Sequence, residues 1–423
     1  FPLNRILDSY FLILFSIIPV SIILGSAVSL IVILLIDFSF VSLMLYKKEY
    51  KFLSNRTVKL ILLLSLYLIF NSIISKNFYM GASRNFGFIR FGILFCAFNY
   101  FFYYKNFFNK IFIVWFLTIF ILVTDVYIES FTGRNILGYG ELYGNRIVSF
   151  FKDEPIVGGY INSFYLIIIG YLFSLNIKSS VNYKYLILMM TLFFMLAVLL
   201  TGERSSLIRT VLGFLIFYSI NNSFKIKEKL ISMFLLFLII GSLINNVDFL
   251  KSRYKDQFLK PIVFLYETKF NKIDNEKNLV KKPMRRSEYY YLYRSAFIIF
   301  KTYPYFGVGN KNFRVETCEV GGNPIYLCGS HPHQTYFELL SEHGFLGTAI
   351  ILFILFNLIF GKLKIILESK HYIQIGCFAF LLSSLIPFLP SGAFFSDSVS
   401  TTFWINLSLM YSINKSTNIF LKN

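Results

Sequence analysis

Apolar residues run along this chain in long unbroken stretches rather than in alternation. The stretches occupy residues 8–25, 27–46, 60–75, 86–104, 111–128, 156–175, 185–201, 205–220, 230–246, 344–361, 373–390 and 399–414. Most approach the ~20 residues that a helix needs to cross a bilayer. Their continuous apolarity is not the period-two pattern of a membrane barrel strand. The pattern therefore predicts an all-α polytopic membrane protein of about twelve transmembrane helices. One long polar-rich segment interrupts it, so the chain divides into 1–246 with nine helices, a large and partly helical loop at 247–335, and 336–423 with the last three helices.

Composition agrees, with 56% hydrophobic and 15% charged residues among 423. Charge adds an orientation. The short connections 47–59, 105–110, 176–184, 221–229 and 362–371 and the tail are basic, the first carrying Lys47, Lys48, Lys51, Arg56 and Lys59. Under the positive-inside rule these face the cytoplasm, which puts the 247–335 loop outside. No cleavable leader is read at the start, the first helix being expected to stay in the membrane. The large loop holds fifteen Lys/Arg against eight Asp/Glu. Long loops escape the positive-inside bias, so this charge is free for an anionic partner, either a lipid headgroup or a phosphate-bearing substrate. Nucleic acid is not an expected partner.

Cysteine use fits the outward placement. Cys96 and Cys377 fall within apolar stretches and read as small hydrophobes, while Cys318 and Cys328 lie in the loop, separated by Gly321-Gly322 and Asn323-Pro324. Those turn residues can fold the segment back and bring the two sulfurs together, in a bond that an oxidising compartment preserves. The bridge is expected to brace the segment leading into His331.

The chemistry-bearing residues gather at the ends of helices. "TGERSSLIRT" places Arg204 between the seventh and eighth apolar stretches, and "SHPHQTYFELLSEHGFLG" sets His331 and His333 before the tenth. His333-Gln334 is followed by nine residues and then by Gly344-x-x-Gly347, while Arg204-x-x-x-Ile208 and Pro304-x-x-Gly307-x-Gly309 complete the set. With these motifs the sequence resembles the O-antigen ligase and O-antigen polymerase superfamily of bacterial envelope glycosyltransferases. The histidine motif is a full match; in the arginine motif Ile208 stands where the family has Leu.

The resemblance implies transfer of a glycan from undecaprenyl diphosphate to an acceptor hydroxyl, on a lipid A-core sugar or another glycan. It implies a site on the periplasmic face of the inner membrane, with no metal and no cofactor. Arginine suits the diphosphate because its planar fork binds phosphate bidentately and stays charged. Arg204 is one such candidate, and the resemblance supplies a second from the large loop: Arg286, Arg285 or Arg294. A neutral imidazole at neutral pH can take the proton of an attacking hydroxyl, which makes His333 the candidate base. Glu203 is a secondary candidate, either orienting Arg204 or replacing His333. His331 could join His333 on a metal, although no further ligands are evident nearby, and His343 reads as a packed ring. Asp153-Glu154 with Pro155 reads as the start of the sixth helix. Asp37, Arg90 and Asp125 receive no chemistry. A lipid-glycan transporter or flippase is the alternative reading; it predicts internal repeats and midplane charges, and no repeat is evident. A non-catalytic scaffold gives no reason for the arginine and histidine motifs to coincide.

Overall fold

The computed structural model describes residues 2–104, 108–140, 146–152, 154–175, 181–259, 288–318 and 325–421. The described residues are helical, with no strand among them. The helices are α1 Pro2–Leu24, α2 Ser26–Lys47, α3 Arg56–Ile73, α4 Phe78–Gly87, α5 Ile89–Tyr104, α6 Phe108–Thr132, α7 Val157–Leu175, α8 Val181–Leu200, α9 Arg204–Ile220, α10 Ile226–Asn246, α11 Asp248–Leu250, α12 Glu288–Thr302, α13 Phe313–Thr317, α14 Thr335–Phe360, α15 Leu363–Ser369, α16 Tyr372–Ser384 and α17 Asp397–Ser412. A π-helical turn, Lys251–Leu259, follows α11.

Among the described residues, nine helices are long and apolar enough to cross a membrane. The apolar stretches at 205–220, 373–390 and 399–414 form α9, α16 and α17, which at 17, 13 and 16 residues are shorter than those nine. The reason lies in packing. α16 is pressed against α7, α9 and α17, and α17 against α5, and both are buried along most of their length. Helices enclosed by protein need not match the bilayer thickness, and the irregular connection between them is tolerated where protein covers it. Of the charges left without chemistry, Arg90 and Asp125 have structural partners, whereas both oxygens of the buried Asp37 carboxyl lack a hydrogen-bond partner among the described residues. Arg90 pairs with Asp397 at the start of α17. Asp125 accepts from Ile136 N–H at 2.8 Å and from the Ser149 hydroxyl at 2.5 Å. Glu129, one turn further along α6, takes the N–H groups of Val148 and Ser149 at 3.0 and 2.6 Å.

α14 is broken at Gly344, whose φ of 64° and ψ of −170° belong to no helix. A break frees backbone donors and acceptors that burial makes expensive to leave unpaired. The segment after α12 takes them up from both sides. Phe345 and Leu346 donate to the carbonyls of Pro304 and Tyr305 at 2.7 and 3.0 Å, while Val308 and Gly309 donate to those of Ser341 and Glu342 at 3.1 and 2.9 Å. Two backbones this close leave no room for side chains. A Cβ on Gly307 would stand 2.5 Å from His343 N, and one on Gly344 would stand 2.5 Å from Phe306 N. The Pro-x-x-Gly-x-Gly and Gly-x-x-Gly patterns are thus two halves of one crossing. Gly347 meets Tyr67 of α3, whose hydroxyl lies 3.2 Å from Nδ1 of the buried His343.

Asparagines fasten the crossing to the bundle. Asn71 of α3 accepts from Asn310 N–H at 2.8 Å, and Asn85 of α4 accepts from the Asn310 amide at 2.5 Å while donating to Leu68 O at 2.8 Å. Buried amides paired in this way fix one register, since any shift strands several polar groups at once.

Gly344→Ala and Gly307→Ala are expected to destabilise the protein. A non-glycine residue forced into such a conformation costs about 1–3 kcal/mol, and displacing the facing backbone adds to it. Gly241→Ala, in α10 with nothing within 4 Å of the added methyl, should be neutral or gain about 0.4–1 kcal/mol. Thermal unfolding of the three variants in detergent measures the difference.

Candidate active site

The site is assembled at the N-terminal ends of α9 and α14. Arg204 is the first residue of α9, after the tight turn at Gly202, whose φ is 71°. A side chain on Gly202 would collide with Phe249, its Cβ 2.8 Å from that ring, so the glycine lets the π-helical turn lie against the start of α9. That turn delivers a second guanidinium. Arg253 donates to Gly202 O at 3.2 Å and to the Gln257 side chain at 2.9 Å, while Arg204 donates to Gln257 O at 3.3 Å. Gln257 thereby holds both arginines. A third, Arg146, lies in the loop held by Asp125 and Glu129 and donates to Pro155 O at 3.4 Å. Burial pulls the Arg253 guanidinium below its ordinary pKa, and the charges of Arg204 and Arg146 pull it further in the same direction. Three like charges this close repel one another unless an anion joins them.

Glu203 has a different task from either expected one. Its carboxylate accepts from Gly158 N–H at 2.7 Å, Gly159 N–H at 3.1 Å and the Ser206 hydroxyl at 2.8 Å. It caps the start of α7, where negative charge is favoured by the helix dipole. Burial still raises its pKa, against the opposing pull of those bonds and of Arg146. Glu154 precedes α7 without being its cap, and Asp153 lies outside the described residues.

The histidine segment is held at several points. Gln334 is the N-cap of α14, its side chain accepting from Phe337 N–H at 2.7 Å. The second residue of the histidine motif thus has a structural task. His333 has a φ of 57°, which few non-glycine residues adopt, and its carbonyl accepts from Ser391 N–H at 2.9 Å. The ring of Tyr289, in the first turn of α12, meets that of His333 edge-on at 5.9 Å. Tyr289 also bears electrostatically on Arg253. His331 packs on His333 with ring centroids 3.9 Å apart. Burial pushes the His333 pKa down, and burial with the His333 charge pushes His331 down to about 4. Both rings are therefore neutral at pH 7. Among the described residues no group of three His, Cys, Asp or Glu could hold a metal ion.

Two further basic residues approach from other helices. Arg209 of α9 donates to Pro390 O at 3.0 Å, next to the Ser391 that holds His333. The charge of Arg84 of α4 reaches His331. Cys318 and Cys328 are disulfide-bonded with Cα atoms 4.7 Å apart. Leu327 N–H then donates to Ser295 of α12 at 2.9 Å, securing the strap that leads to His331. Of the expected loop arginines, Arg294 is exposed on α12, and Arg285 and Arg286 lie outside the described residues. Arg253 and Arg146 were not singled out from the sequence. Neither lies in a recognisable motif, and the only signal was their basic charge.

These features define a multi-pass helical membrane protein with a basic, histidine-bearing site at one end of the bundle. Residues 185–352 match the family model described as O-antigen ligase, a match that supports membership of the O-antigen ligase and polymerase family. The match includes Arg204, Arg253, Tyr289 and His333, whereas Arg84, Arg146 and Ser391 lie beyond it. No curated protein matches the chain.

The low histidine pKa values carry a sign. Between about 4 and 6.5 the unfolded chain binds a proton at His331 that the folded protein does not, so this residue makes stability fall as pH drops through that window. His331→Gln should flatten that part of the profile relative to the parent, as read by melting temperature at pH 4 to 7.

Proposed function

We propose that the protein transfers a glycan from undecaprenyl diphosphate to an acceptor hydroxyl at the periplasmic face of the inner membrane. The acceptor is a lipid A-core sugar or another glycan. One observation carries the reading: Arg146, Arg204 and Arg253 crowd together, and Tyr289 links them to the neutral His333. The family match supports a glycosyltransferase of the ligase type.

The chemistry follows from the charges. As the anomeric C–O bond to phosphate breaks, negative charge builds on the departing lipid diphosphate. Guanidinium groups already held in place stabilise it without reorganising, which is the main source of catalysis in such a site. Gln257 and Gly202 hold Arg204 and Arg253 for that task. On the other side the acceptor oxygen bonds to the anomeric carbon and gives its proton to His333. The imidazole can receive it because burial keeps the ring unprotonated. Ser391 and the cap at Gln334 fix the backbone on which that ring stands. Serving a diphosphate that stays attached to a prenyl chain in the bilayer requires the site to lie at the membrane edge, which a site built on the ends of α9 and α14 would satisfy.

Purified protein with lipid-diphosphate glycan and a panel of acceptors tests this. His333→Ala should keep donor binding and lose transfer by about 10²–10⁴. Arg204→Ala and Arg253→Gln should weaken donor binding and slow transfer together, the rate loss for one oriented donor being about 10²–10³. Undiminished transfer by His333→Ala overturns the assignment of the base. The acidic limb of kcat/KM should fall below pH 6.5, because the lowered pKa keeps His333 competent there.

A further inference from the structure

A second basic cavity lies at the opposite end of the bundle. α14 begins beside His333 and ends at Phe360, and the ~22 residues from its start to Asn357 span roughly 30 Å. There a cavity of about 700 Å³ opens between the start of α3, the end of α14 and the C-terminal tail. Lys51, Arg56 and Lys362 line it against a single acid, Glu49. That acid already accepts from the Tyr104 hydroxyl at 3.2 Å. Arg56 is steadied by Asn357, to whose side-chain oxygen it donates at 3.3 Å. Lys51 and Arg56 come from the connection leading into α3 and Lys362 from just after the end of α14, and together they leave the cavity with an excess of positive charge.

The cavity sits where two apolar spans meet their polar ends, since Arg56–Ile73 and the helix running on from Thr335 both qualify as membrane-crossing. Along α3 the face of Arg56 continues to Leu63 and Leu66, 49% and 63% exposed, and along α14 that of Asn357 continues to Phe353 and Phe356, 61% and 60% exposed. Positive charge therefore stands directly above apolar side chains open to lipid.

We propose that this cavity binds the phosphate headgroup of an anionic membrane lipid, with its acyl chains lying along the exposed faces of α3 and α14. A basic recess between helices supplies the charge, and the bilayer supplies the ligand at high local concentration. A soluble phosphate shares the headgroup chemistry but has no use for the apolar faces. The apolar faces therefore favour the lipid. The site is separate from the His333 end and does not depend on the transfer reaction.

Native mass spectrometry of the full chain in detergent tests the assignment. The probes are phosphatidylglycerol, phosphatidylcholine with the same acyl chains, and glycerol phosphate. The first phosphatidylglycerol should be retained in preference to phosphatidylcholine, and glycerol phosphate should fail to displace it. Arg56→Gln with Lys362→Gln should weaken retention about thirtyfold, roughly fivefold for each basic group removed near an anionic headgroup. Arg56→Lys with Lys362→Arg should retain the lipid, which separates lost charge from lost fold. Lys364→Gln, an exposed residue outside the cavity, should bind like the parent. Equal retention of the two lipids, unchanged binding by the double Gln variant, or loss by the charge-keeping variant overturns the proposal. Displacement by glycerol phosphate at equal concentration overturns the lipid as the source.

Discussion

The structure turns on the pairing of backbone groups at one break in a helix. When α14 departs from helical geometry at Gly344, its neighbouring peptide groups lose their partners, and only a second backbone can reach them. The segment 304–309 does so by approaching closer than any side chain permits. Everything near the active end is positioned by that contact. It sets where α12 ends relative to α14, and hence where Tyr289 meets His333. Through Asn310 it also ties both helices to α3 and α4. Buried backbone pairing of this kind tolerates no half measures, because a small displacement leaves several groups unsatisfied together.

Carboxylates serve the same architecture. Glu203, Glu129, Glu338 and Glu342 each take backbone N–H groups from a distant piece of chain: 158–159, 148–149, 394, and 311 with 313. Glu203, Glu129 and Glu342 each accept from two backbone N–H groups and Glu338 from one, bonds that are directional and tie the loops down. The result is a frame in which acids are spent on holding loops, one of which carries Arg146. The excess of basic over acidic residues in the chain is thus sharpened locally by the way the acids are used.

The apolar stretches could be read from the sequence because lipid exposure demands uninterrupted hydrophobicity over a known length, and each stretch is helical. The shorter α9, α16 and α17 read in the same way as the nine longer helices, because apolarity does not distinguish a helix facing lipid from one enclosed by other helices. The histidine and arginine motifs stood out because their spacing follows helix ends: Gln334 as a cap, Arg204 as a first residue, Gly344 as a break. The disulfided cysteines were likewise visible from their turn residues. Arg253 and Arg146 were hidden for a physical reason. They reach the site through a π-helical turn and a carboxylate-held loop, and neither arrangement leaves a periodic trace. The capping task of Glu203 was hidden too, since its partners lie 44–45 residues away.

The bond from Ser391 to His333 has a consequence for biosynthesis. Chains are made and inserted from the N-terminus, so α9, the π-helical turn and α14 are all in place before residue 391 leaves the ribosome. Until then the left-handed backbone at His333 lacks the tether that the α16–α17 connection supplies. Arg209, the residue after the arginine motif, stands in the same position, since it donates to the carbonyl of Pro390. The α16–α17 connection is thus what locks the histidine motif, and a nascent or truncated protein holds His333 without the anchor that orients it.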